Sequence, residues 1–257
     1  MAGLNNSIVF VTGASSGIGA SCAREFAQAG AKLLLAARQF EKLEVLATKL
    51  EAEFGTLTHV LPLDVCDRVA VESALSSLPV EWSAIDVLVN NAGLSRGLDK
   101  LQEAEFQDWE EMIDTNIKGL LYVTRLVVPG MLERNGGHVI NIGSTAGHEA
   151  YPGGSVYCAT KFAVKAITQA LKKDLHGSAI RVSSVDPGLV ETNFSNIRFH
   201  GDTDRAASTY ENMTPLTPDD VAEIVVFCAS RPAHVNIADV IVMPTDQSAA
   251  TMVYRHS

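Results

Sequence analysis

Short apolar runs alternate with longer amphipathic segments along the whole chain. The runs lack the regular polar alternation of a half-exposed strand, so they predict strands that are buried on both faces. We predict seven such strands, over residues 7–13, 31–38, 58–65, 85–93, 137–144, 180–188 and 239–244.

The segments between these runs carry apolar residues at helical spacing. They predict helices over residues 17–29, 41–54, 67–78, 105–134, 155–176 and 217–230. We expect the long helix over 105–134 to kink or end at Pro129, because proline cannot donate the backbone hydrogen bond of a helix.

Strands and helices that alternate in this way predict an α/β protein with a parallel sheet. We predict a single-domain Rossmann fold over residues 1–257, with a seven-stranded doubly wound parallel sheet and helices on both faces. The least regular part is 189–215, which follows the carboxyl end of the sixth strand. Ligands bind at that edge of such sheets, so we expect this segment to cover the substrate site.

Composition and charge exclude several classes of protein. The 257 residues are 47% hydrophobic and 19% charged, and the formal net charge of −10 does not favour nucleic-acid binding. The four cysteines are far apart and predict neither disulfides nor a metal site. No apolar run has the length of a signal peptide or a membrane span, so we expect a cytoplasmic protein without a membrane partner.

A glycine-rich turn, TGASSGIG, joins the first strand to the first helix. Gly13, Gly17 and Gly19 follow a GxxxGxG spacing. Glycines at such a turn let a pyrophosphate approach the backbone, and the following helix offers free N–H groups to the phosphates. An ordinary strand–helix turn can also contain glycine, but the position after the first strand favours a nucleotide site.

The end of the second strand indicates which nucleotide binds. NAD-specific sites usually carry an acidic residue there. This chain has Arg38 at that position, and the first acidic residue after the second strand is Glu41. Arg38 is either an exposed loop arginine or the partner of a 2′-phosphate, and the missing acid favours NADP. Asp64 and Val65 end the third strand, where an adenine ring would lie.

Tyr157 and Lys161 lie four residues apart, and therefore on one face of the same predicted helix. One interpretation is a surface tyrosine beside a solvated lysine. The other is that the ammonium stabilises the phenolate and lowers the pKa of the phenol from its ordinary value of about 10.

Together these motifs resemble the short-chain dehydrogenase/reductase family over nearly the whole chain. The resemblance rests on TGASSGIG, on NNAG at 90–93, on DPGLVET at 186–192, and on a catalytic tetrad that matches Asn116, Ser144, Tyr157 and Lys161. Within the family, INIGSTAG, AYPGGSVYCATK and DPGLVETNFSNIRF are similar to the NADP-dependent 3-hydroxy acid dehydrogenases. Gln39 is a departure, because many relatives carry a second basic residue there.

The resemblance implies roles for the matching residues. Tyr157 would be the general acid–base, with a pKa lowered by Lys161, and Ser144 would bind the substrate oxygen. Asn116 would hold a water that links Lys161 to solvent. No metal is implied. The residues that would bind NADP are Gly13, Ser15, Ser16, Gly17, Ile18, Gly19, Arg38, Asp64, Val65, Asn91, Ala92, Gly93, Tyr157, Lys161, Pro187, Gly188, Val190 and Thr192.

The implied reaction is hydride transfer between NADP and a small 3-hydroxy acid such as serine, allo-threonine or 3-hydroxypropionate, or its 3-oxo acid or semialdehyde. Another short anionic aldehyde such as sulfoacetaldehyde, or a broad range of carbonyl compounds, is the alternative substrate. A non-catalytic NADP-binding protein is disfavoured because the tetrad is complete, and no feature indicates an interaction scaffold.

The substrate carboxylate would need a local cation in so acidic a protein. Arg198 is the first candidate for this cation and Arg96 is the second. The alternative interpretation of Arg198 is a surface arginine that pairs with acidic residues. His148, Glu149 and Tyr151 either line the substrate pocket or only shape their loop. A homotetramer is implied by the resemblance, and the apolar tail at 248–257 is expected to dock on a neighbouring subunit.

Overall fold

A computed structural model of the protein describes residues 3–256. Its centre is a single parallel sheet. The seven strands pair in the order β3-β2-β1-β4-β5-β6-β7, which confirms the predicted doubly wound sheet. The strands are β1 (Ile8–Thr12), β2 (Lys32–Ala37), β3 (Thr58–Pro62), β4 (Val87–Asn90), β5 (Gly137–Ile142), β6 (Ile180–Pro187) and β7 (Asp239–Val242). The strand order reverses between β1 and β4, where sheets of this kind bind ligands.

Helices cover both faces of this sheet. They are α1 (Gly17–Gln28), α2 (Phe40–Phe54), α3 (Arg68–Ser76), α4 (Val80–Ser83), α5 (Phe106–Ile113), α6 (Leu120–Glu133), α7 (Ser155–Asp174), α8 (Phe194–Arg198), α9 (Thr203–Ser208) and α10 (Pro218–Ala229). None of the helices in the described part of the chain combines the length and the apolar character needed to cross a bilayer.

Successive side chains of β1 enter two separate apolar cores. Val9 and Val11 pack with residues of α1 and α10 on one face, while Ile8 and Phe10 pack with residues of α3 and α6 on the other. This division follows from the two-residue period of a strand. It explains why the strand reads as a continuous apolar run: both faces of the sheet are buried.

The predicted helix over 105–134 is divided, but not at Pro129. α5 ends at Ile113, a π-helical turn spans Asp114–Gly119, and α6 continues through Pro129 to Glu133. An end of the helix at Pro129 is therefore wrong, whereas a kink there stays a prediction. The π-helical turn instead surrounds Asn116, and such turns are frequent at functional sites.

The segment 189–215 and the C-terminal tail pack on each other. The segment contains α8 and α9, and the Tyr210 hydroxyl donates to the carbonyl of Val190 at 2.8 Å. The tail folds back onto its own chain, where the N–H of His256 donates to the carbonyl of Asn212 at 2.6 Å. The backbone groups of the tail thus find partners within the chain, and docking of its exposed side chains on a neighbouring subunit stays a prediction.

We expect the stability of the fold to fall at acidic pH because of His138 in β5. Its Nε2 lies 2.7 Å from the Ser183 hydroxyl, and its buried Nδ1 has no hydrogen-bond partner among residues 3–256. Burial, with the nearby charges of Arg181 and Lys172, holds the pKa of His138 well below its ordinary value. The unfolded chain therefore takes up a proton below about pH 6.5 that the folded chain does not bind.

Each such proton costs up to about 1.4 kcal/mol of unfolding free energy per pH unit. Urea unfolding at neutral and acidic pH measures how much unfolding free energy is lost on acidification. We expect His138→Gln to lose less of it than the wild type. His234→Gln, at an exposed position, is the matched control. An equal loss in the wild type and His138→Gln would contradict the assignment.

Candidate active site

A cavity of about 870 Å³ lies along the carboxyl edge of the sheet. Its wall extends from the end of β2, past the glycine turn and the end of β4, to the segment 189–215 and the tail. The volume lies in the range of ligand and cofactor pockets. The cavity is therefore the place to look for each residue singled out from the sequence.

Nearly all residues predicted to bind NADP meet in this wall. The lining residues from that set are Gly13, Ser15, Ser16, Gly17, Ile18, Arg38, Asp64, Val65, Asn91, Ala92, Gly93, Tyr157, Lys161, Pro187, Gly188, Val190 and Thr192. Gly19 is the exception and does not line the cavity. The topology brings these residues together because the loops after parallel strands all emerge at one edge.

Gly13 and Gly19 have different roles in the glycine turn. Gly13 has a φ of +65°, and a Cβ on it would lie 2.9 Å from the Cα of Ala92. A Cβ on Gly19 would lie 2.3 Å from the carbonyl oxygen of Gly13, so Gly19 allows α1 to pack closely on the turn. The expected contact of Gly19 with the cofactor is thus replaced by a packing role.

The N-terminus of α1 faces this turn and suits an anion. Ser16 precedes the helix in an extended conformation, and its side chain makes no capping hydrogen bond. The first N–H groups of a helix have no partner within the helix and favour negative charge. Asn91 fixes the opposite wall, because its side-chain amide donates to the carbonyls of Thr12 and Gly13 at 2.9 and 3.1 Å.

A basic pair marks the far end of the cavity. Arg38 is exposed directly after β2, Lys42 is exposed in the first turn of α2, and both line the cavity. From the sequence, a second basic residue was expected only at position 39, which is Gln39 here, and Lys42 was missed. Arg38 precedes α2, so no helical spacing linked it to Lys42, and only the folded chain brings both residues to the cavity wall.

Tyr157 and Lys161 lie side by side on α7 and are both buried. Ser144 lines the same part of the cavity as Tyr157, and its hydroxyl accepts from the N–H of Ala146 at 3.1 Å. Lys161 Nζ lies 5.9 Å from the centre of the phenol ring and donates to the carbonyl of Ile142 at 2.9 Å. The interpretation of a surface tyrosine beside a solvated lysine is therefore wrong.

Burial changes the acidity of this pair. Desolvation, followed by the neighbouring Tyr151, raises the pKa of Tyr157 above its ordinary value, although Ser144 and Arg198 oppose the rise. Desolvation also lowers the pKa of Lys161 to about 8. The expected lowering of the phenol pKa is therefore wrong for the protein groups alone, because burial disfavours the charged form of both residues.

Asn116 lies directly behind the cavity wall. Its side chain accepts from the N–H of Leu94 at 2.8 Å, and donates to the carbonyl of Leu94 at 2.8 Å and to the Thr160 hydroxyl at 3.0 Å. A Cβ on Gly93 would lie 3.2 Å from Asn116 Oδ1 and 3.7 Å from Lys161 Nζ. Asn116 thus fixes the chain beside Lys161, and its role in holding a water stays a prediction.

Arg198 lies in the cavity wall beside the phenol of Tyr157. Its guanidinium carbon is 5.6 Å from the ring centre of Tyr157. Nε donates to the carbonyl of Gly97 at 3.0 Å, and Nη2 donates to the Tyr151 hydroxyl at 2.8 Å. Tyr151 also lines the cavity, so the pocket interpretation of Tyr151 is the one that fits.

Arg96 also lines the cavity, but its charge is already paired. Nε donates to the Glu111 carboxylate at 2.7 Å, and Nη1 donates to the carbonyl of Ile197. Arg96 therefore anchors α8 to α5, and Arg198 is better placed to meet an anionic substrate.

His148 does not line the cavity, contrary to the expected role in substrate binding. Its side chain is directed to Asp186 and Lys165, and Glu149 accepts the N–H of Ala250 instead. The ligand atoms of His148, Asp186 and Asp239 lie within 4.8 Å of one another, a cluster that chain spacing did not reveal. The expectation that the protein binds no metal stays a prediction.

Several further lining residues were missed by sequence reasoning. The ring centres of Phe194 and Tyr157 are 5.8 Å apart, and Tyr210 and Arg255 also face the cavity. Three further residues of the C-terminal tail also line the cavity: Ala250, Thr251 and Val253. No local pattern marks these residues, because the backbone of distant segments brings them to the site.

Comparison with known proteins identifies the family. The model of the family described as short chain dehydrogenase matches residues 7–202. The chain belongs to this family. The resemblance noted from the sequence is therefore confirmed, and the protein is an oxidoreductase of the short-chain dehydrogenase family.

Relatives within the short-chain dehydrogenase family cover almost the full chain. The NADP-dependent 3-hydroxy acid dehydrogenase YdfG of Salmonella typhi is 51% identical over 251 residues, which are 97% of this chain and 100% of that protein. The NADP-dependent 3-hydroxy acid dehydrogenase of Schizosaccharomyces pombe is 46% identical over 99% of each chain. The closed form of a serine dehydrogenase complexed with NADP+ is 49% identical, with a TM-score of 0.90 over 97% of this chain and 100% of that one.

Proposed function

We propose that this protein is an NADP-dependent oxidoreductase that interconverts a small 3-hydroxy acid and its 3-oxo acid or semialdehyde. The observation that carries the proposal is a single cavity with a basic pair at one end and a buried Tyr157 beside a guanidinium at the other. The relatives named as NADP-dependent 3-hydroxy acid dehydrogenases and the serine dehydrogenase complexed with NADP+ support the same reaction and cofactor.

The glycine turn, the N-terminus of α1, Arg38 and Lys42 are the groups that would hold NADP. A Cβ at Gly13 would collide with Ala92, so the absent side chain lets the loop after β4 approach the glycine turn closely. NADP supplies the hydride chemistry when bound, and its oxidised form adds a positive charge to the site. Arg38 and Lys42 match a 2′-phosphate, which NAD lacks.

Ser144, Tyr157 and Lys161 have separate roles in the proton transfer to or from the substrate oxygen. Tyr157 donates a proton to the carbonyl oxygen in reduction and accepts it from the hydroxyl in oxidation. Ser144 holds the oxygen beside the phenol by hydrogen bonding. Lys161, fixed by the carbonyl of Ile142, provides a buried positive charge that favours the phenolate formed when the proton leaves.

Arg198 is the residue that would select an acidic substrate. Its guanidinium stands over the Tyr157 ring, so a carboxylate held there brings a nearby carbonyl group to the phenol. A bidentate arginine contact also fixes the orientation of the substrate.

A substrate panel tests this function. We expect NADPH to be oxidised faster with malonic semialdehyde or sulfoacetaldehyde than with neutral aldehydes of similar size, and NADP to be reduced with serine, allo-threonine or 3-hydroxypropionate. Comparable kcat/KM values for charged and neutral substrates would instead indicate a broad carbonyl reductase. No turnover of any of these compounds would contradict the proposal.

Arg38→Asp should shift the cofactor preference from NADPH towards NADH. The substitution removes a cation and places a carboxylate near the expected position of the 2′-phosphate, so KM for NADPH should rise at least about tenfold. KM values for both cofactors, measured with one saturating carbonyl substrate, check this. Arg68→Asp, an exposed substitution outside the cavity, should leave both KM values unchanged.

We also propose a homotetramer. Leu121 and Leu132 on α6 and Phe162 on α7 are 42%, 47% and 43% exposed, and burial of these side chains would stabilise an assembly. Light scattering at micromolar protein concentration should give four times the mass of the chain, and a monomer would contradict the proposal.

A further inference from the structure

Three side chains form a polar cluster immediately behind the active-site wall, and none of them lines the cavity. His148 Nε2 lies 2.5 Å from Asp186 Oδ2, and Lys165 Nζ lies 2.7 Å from His148 Nδ1. The side chains of His148 and Asp186 are only 19% and 2% exposed. The Ser184 hydroxyl donates to the second carboxylate oxygen of Asp186. The proposed chemistry uses none of these side chains, and their arrangement therefore needs another explanation.

The neighbours of His148 assign donor and acceptor roles to its two ring nitrogens. An ammonium group has donors and no acceptor, so Lys165 donates and His148 Nδ1 accepts. Nε2 then carries the ring proton and donates it to Asp186. A second proton would place an N–H on Nδ1, facing the ammonium of Lys165. Both groups would then be donors, and the contact would break. The cluster is therefore complete only with a neutral imidazole.

The other charged groups near this imidazole come from three elements. Asp239 of β7 belongs to the same cluster of ligand atoms, and Glu149 follows His148 in the chain. Lys161 lies on α7, and the Asp186 carboxylate opposes the lowering of its pKa by burial. Asp186 is thus electrostatically linked to the lysine beside Tyr157.

Each member of the cluster stands next to an element of the active site. His148 directly follows the helical turn Thr145–Gly147, which begins after Ser144. Lys165 lies one helical turn beyond Lys161 on α7. Asp186 directly precedes Pro187, which lines the cavity.

Close packing connects the carboxylate to the Ser144 loop. A Cβ on Gly143 would lie 1.8 Å from Asp186 Oδ1, so the carboxylate sits against the backbone that leads into Ser144. Likewise, a Cβ on Gly147 would lie 2.7 Å from the carbonyl oxygen of Lys161. A shift of Asp186 or His148 would therefore be transmitted to the loop that presents Ser144 to Tyr157.

We propose that Lys165, His148 and Asp186 are positioning residues, which hold the Ser144 loop, α7 and the end of β6 together through a neutral His148. The inference rests on the proposed oxidoreductase function and adds to it a condition on the protonation of His148. Because the cluster acts through Ser144 and Lys161, its loss should lower kcat by a much larger factor than it raises KM for NADPH.

Two substitutions of His148 separate positioning from simple packing. His148→Gln retains an acceptor for Lys165 and a donor for Asp186, whereas His148→Leu retains neither. We expect His148→Leu to lower kcat by about 10- to 100-fold, the usual effect of a small displacement of reacting groups. His148→Gln should keep most of kcat.

Lys165→Met provides a second test, with Lys173→Met as the matched control at an exposed position on the same helix. Lys165→Met should lower kcat, and Lys173→Met should not. KM for NADPH, measured for all four variants, should stay within about twofold of the wild type if the fold is intact. Wild-type kcat in His148→Leu, or an equal loss in His148→Leu and His148→Gln, would overturn the proposal.

A measurement without turnover separates this proposal from the proposed function. Nitrogen NMR of the histidine rings in the wild-type protein should show His148 protonated on Nε2 and unprotonated on Nδ1. The opposite tautomer would overturn the cluster even in an active enzyme. Absence of turnover in the wild type would contradict only the proposed function.

Discussion

Tyr157→Phe should lower kcat by about 100- to 10,000-fold, the usual contribution of a positioned acid–base group. The substitution removes only the hydroxyl that exchanges a proton with the substrate oxygen. The ring stays, and with it the packing against Phe194 and the guanidinium of Arg198. The affinity for NADPH should therefore change by less than about twofold. The rate of NADPH oxidation with a saturating carbonyl substrate, together with NADPH binding by fluorescence titration, checks both parts.

The matched control for this substitution is Tyr122→Phe, since Tyr122 is half-buried on α6 and does not line the cavity. It should retain wild-type kcat. A near-normal kcat in Tyr157→Phe would exclude the phenol as the proton donor. A large loss of NADPH binding would show instead that the hydroxyl is needed to hold the cofactor.

Arg198→Ala should weaken the use of acidic substrates while affecting neutral ones much less. A hydrogen bond to a charged group contributes about 1.5–3 kcal/mol, or roughly 10- to 150-fold in affinity. We expect KM for malonic semialdehyde or serine to rise by about that factor. KM for NADPH should change little, because the basic pair Arg38 and Lys42 lies at the other end of the cavity.

Arg198 also donates hydrogen bonds to the carbonyl of Gly97 and to the Tyr151 hydroxyl. A control variant is therefore needed that breaks one of these hydrogen bonds without removing the guanidinium. Tyr151→Phe removes one of these bonds but keeps the charge of Arg198, so it should retain the preference for acidic over neutral substrates. An equal loss of kcat/KM for charged and neutral substrates in Arg198→Ala would show that the residue is structural. Arg96→Ala would then be the next variant to measure.

The sheet and much of the cavity wall around the glycine turn could be predicted from the amino-acid pattern alone. Both faces of β1 are buried, so its residues form one continuous apolar run that is visible without a structure. The topology of a parallel α/β fold then places the loops after the strands at one edge. Gly13, Asn91 and Pro187 are far apart in the chain, yet they meet in the same wall for this reason.

The irregular helix and several residues of the cavity wall could not be predicted, because they depend on long-range packing. Pro129 continues α6 without ending it, whereas a π-helical turn around Asn116 divides the predicted helix. His148 is directed to Asp186 and Lys165 and not to the cavity. The tail reaches the cavity through contacts with the segment 189–215. Side-chain direction and long-range docking depend on neighbours that local periodicity does not encode.

The acidity of Tyr157 and Lys161 shows the same limit most clearly. The four-residue spacing of Tyr157 and Lys161 correctly predicted two neighbours on one helix face. It predicted a lowered pKa for the phenol, whereas burial raises that pKa and lowers the pKa of Lys161 to about 8. Spacing along the chain determines which groups are adjacent. Their charge depends on how much water the whole fold removes from them, and that quantity exists only once the surrounding elements have packed.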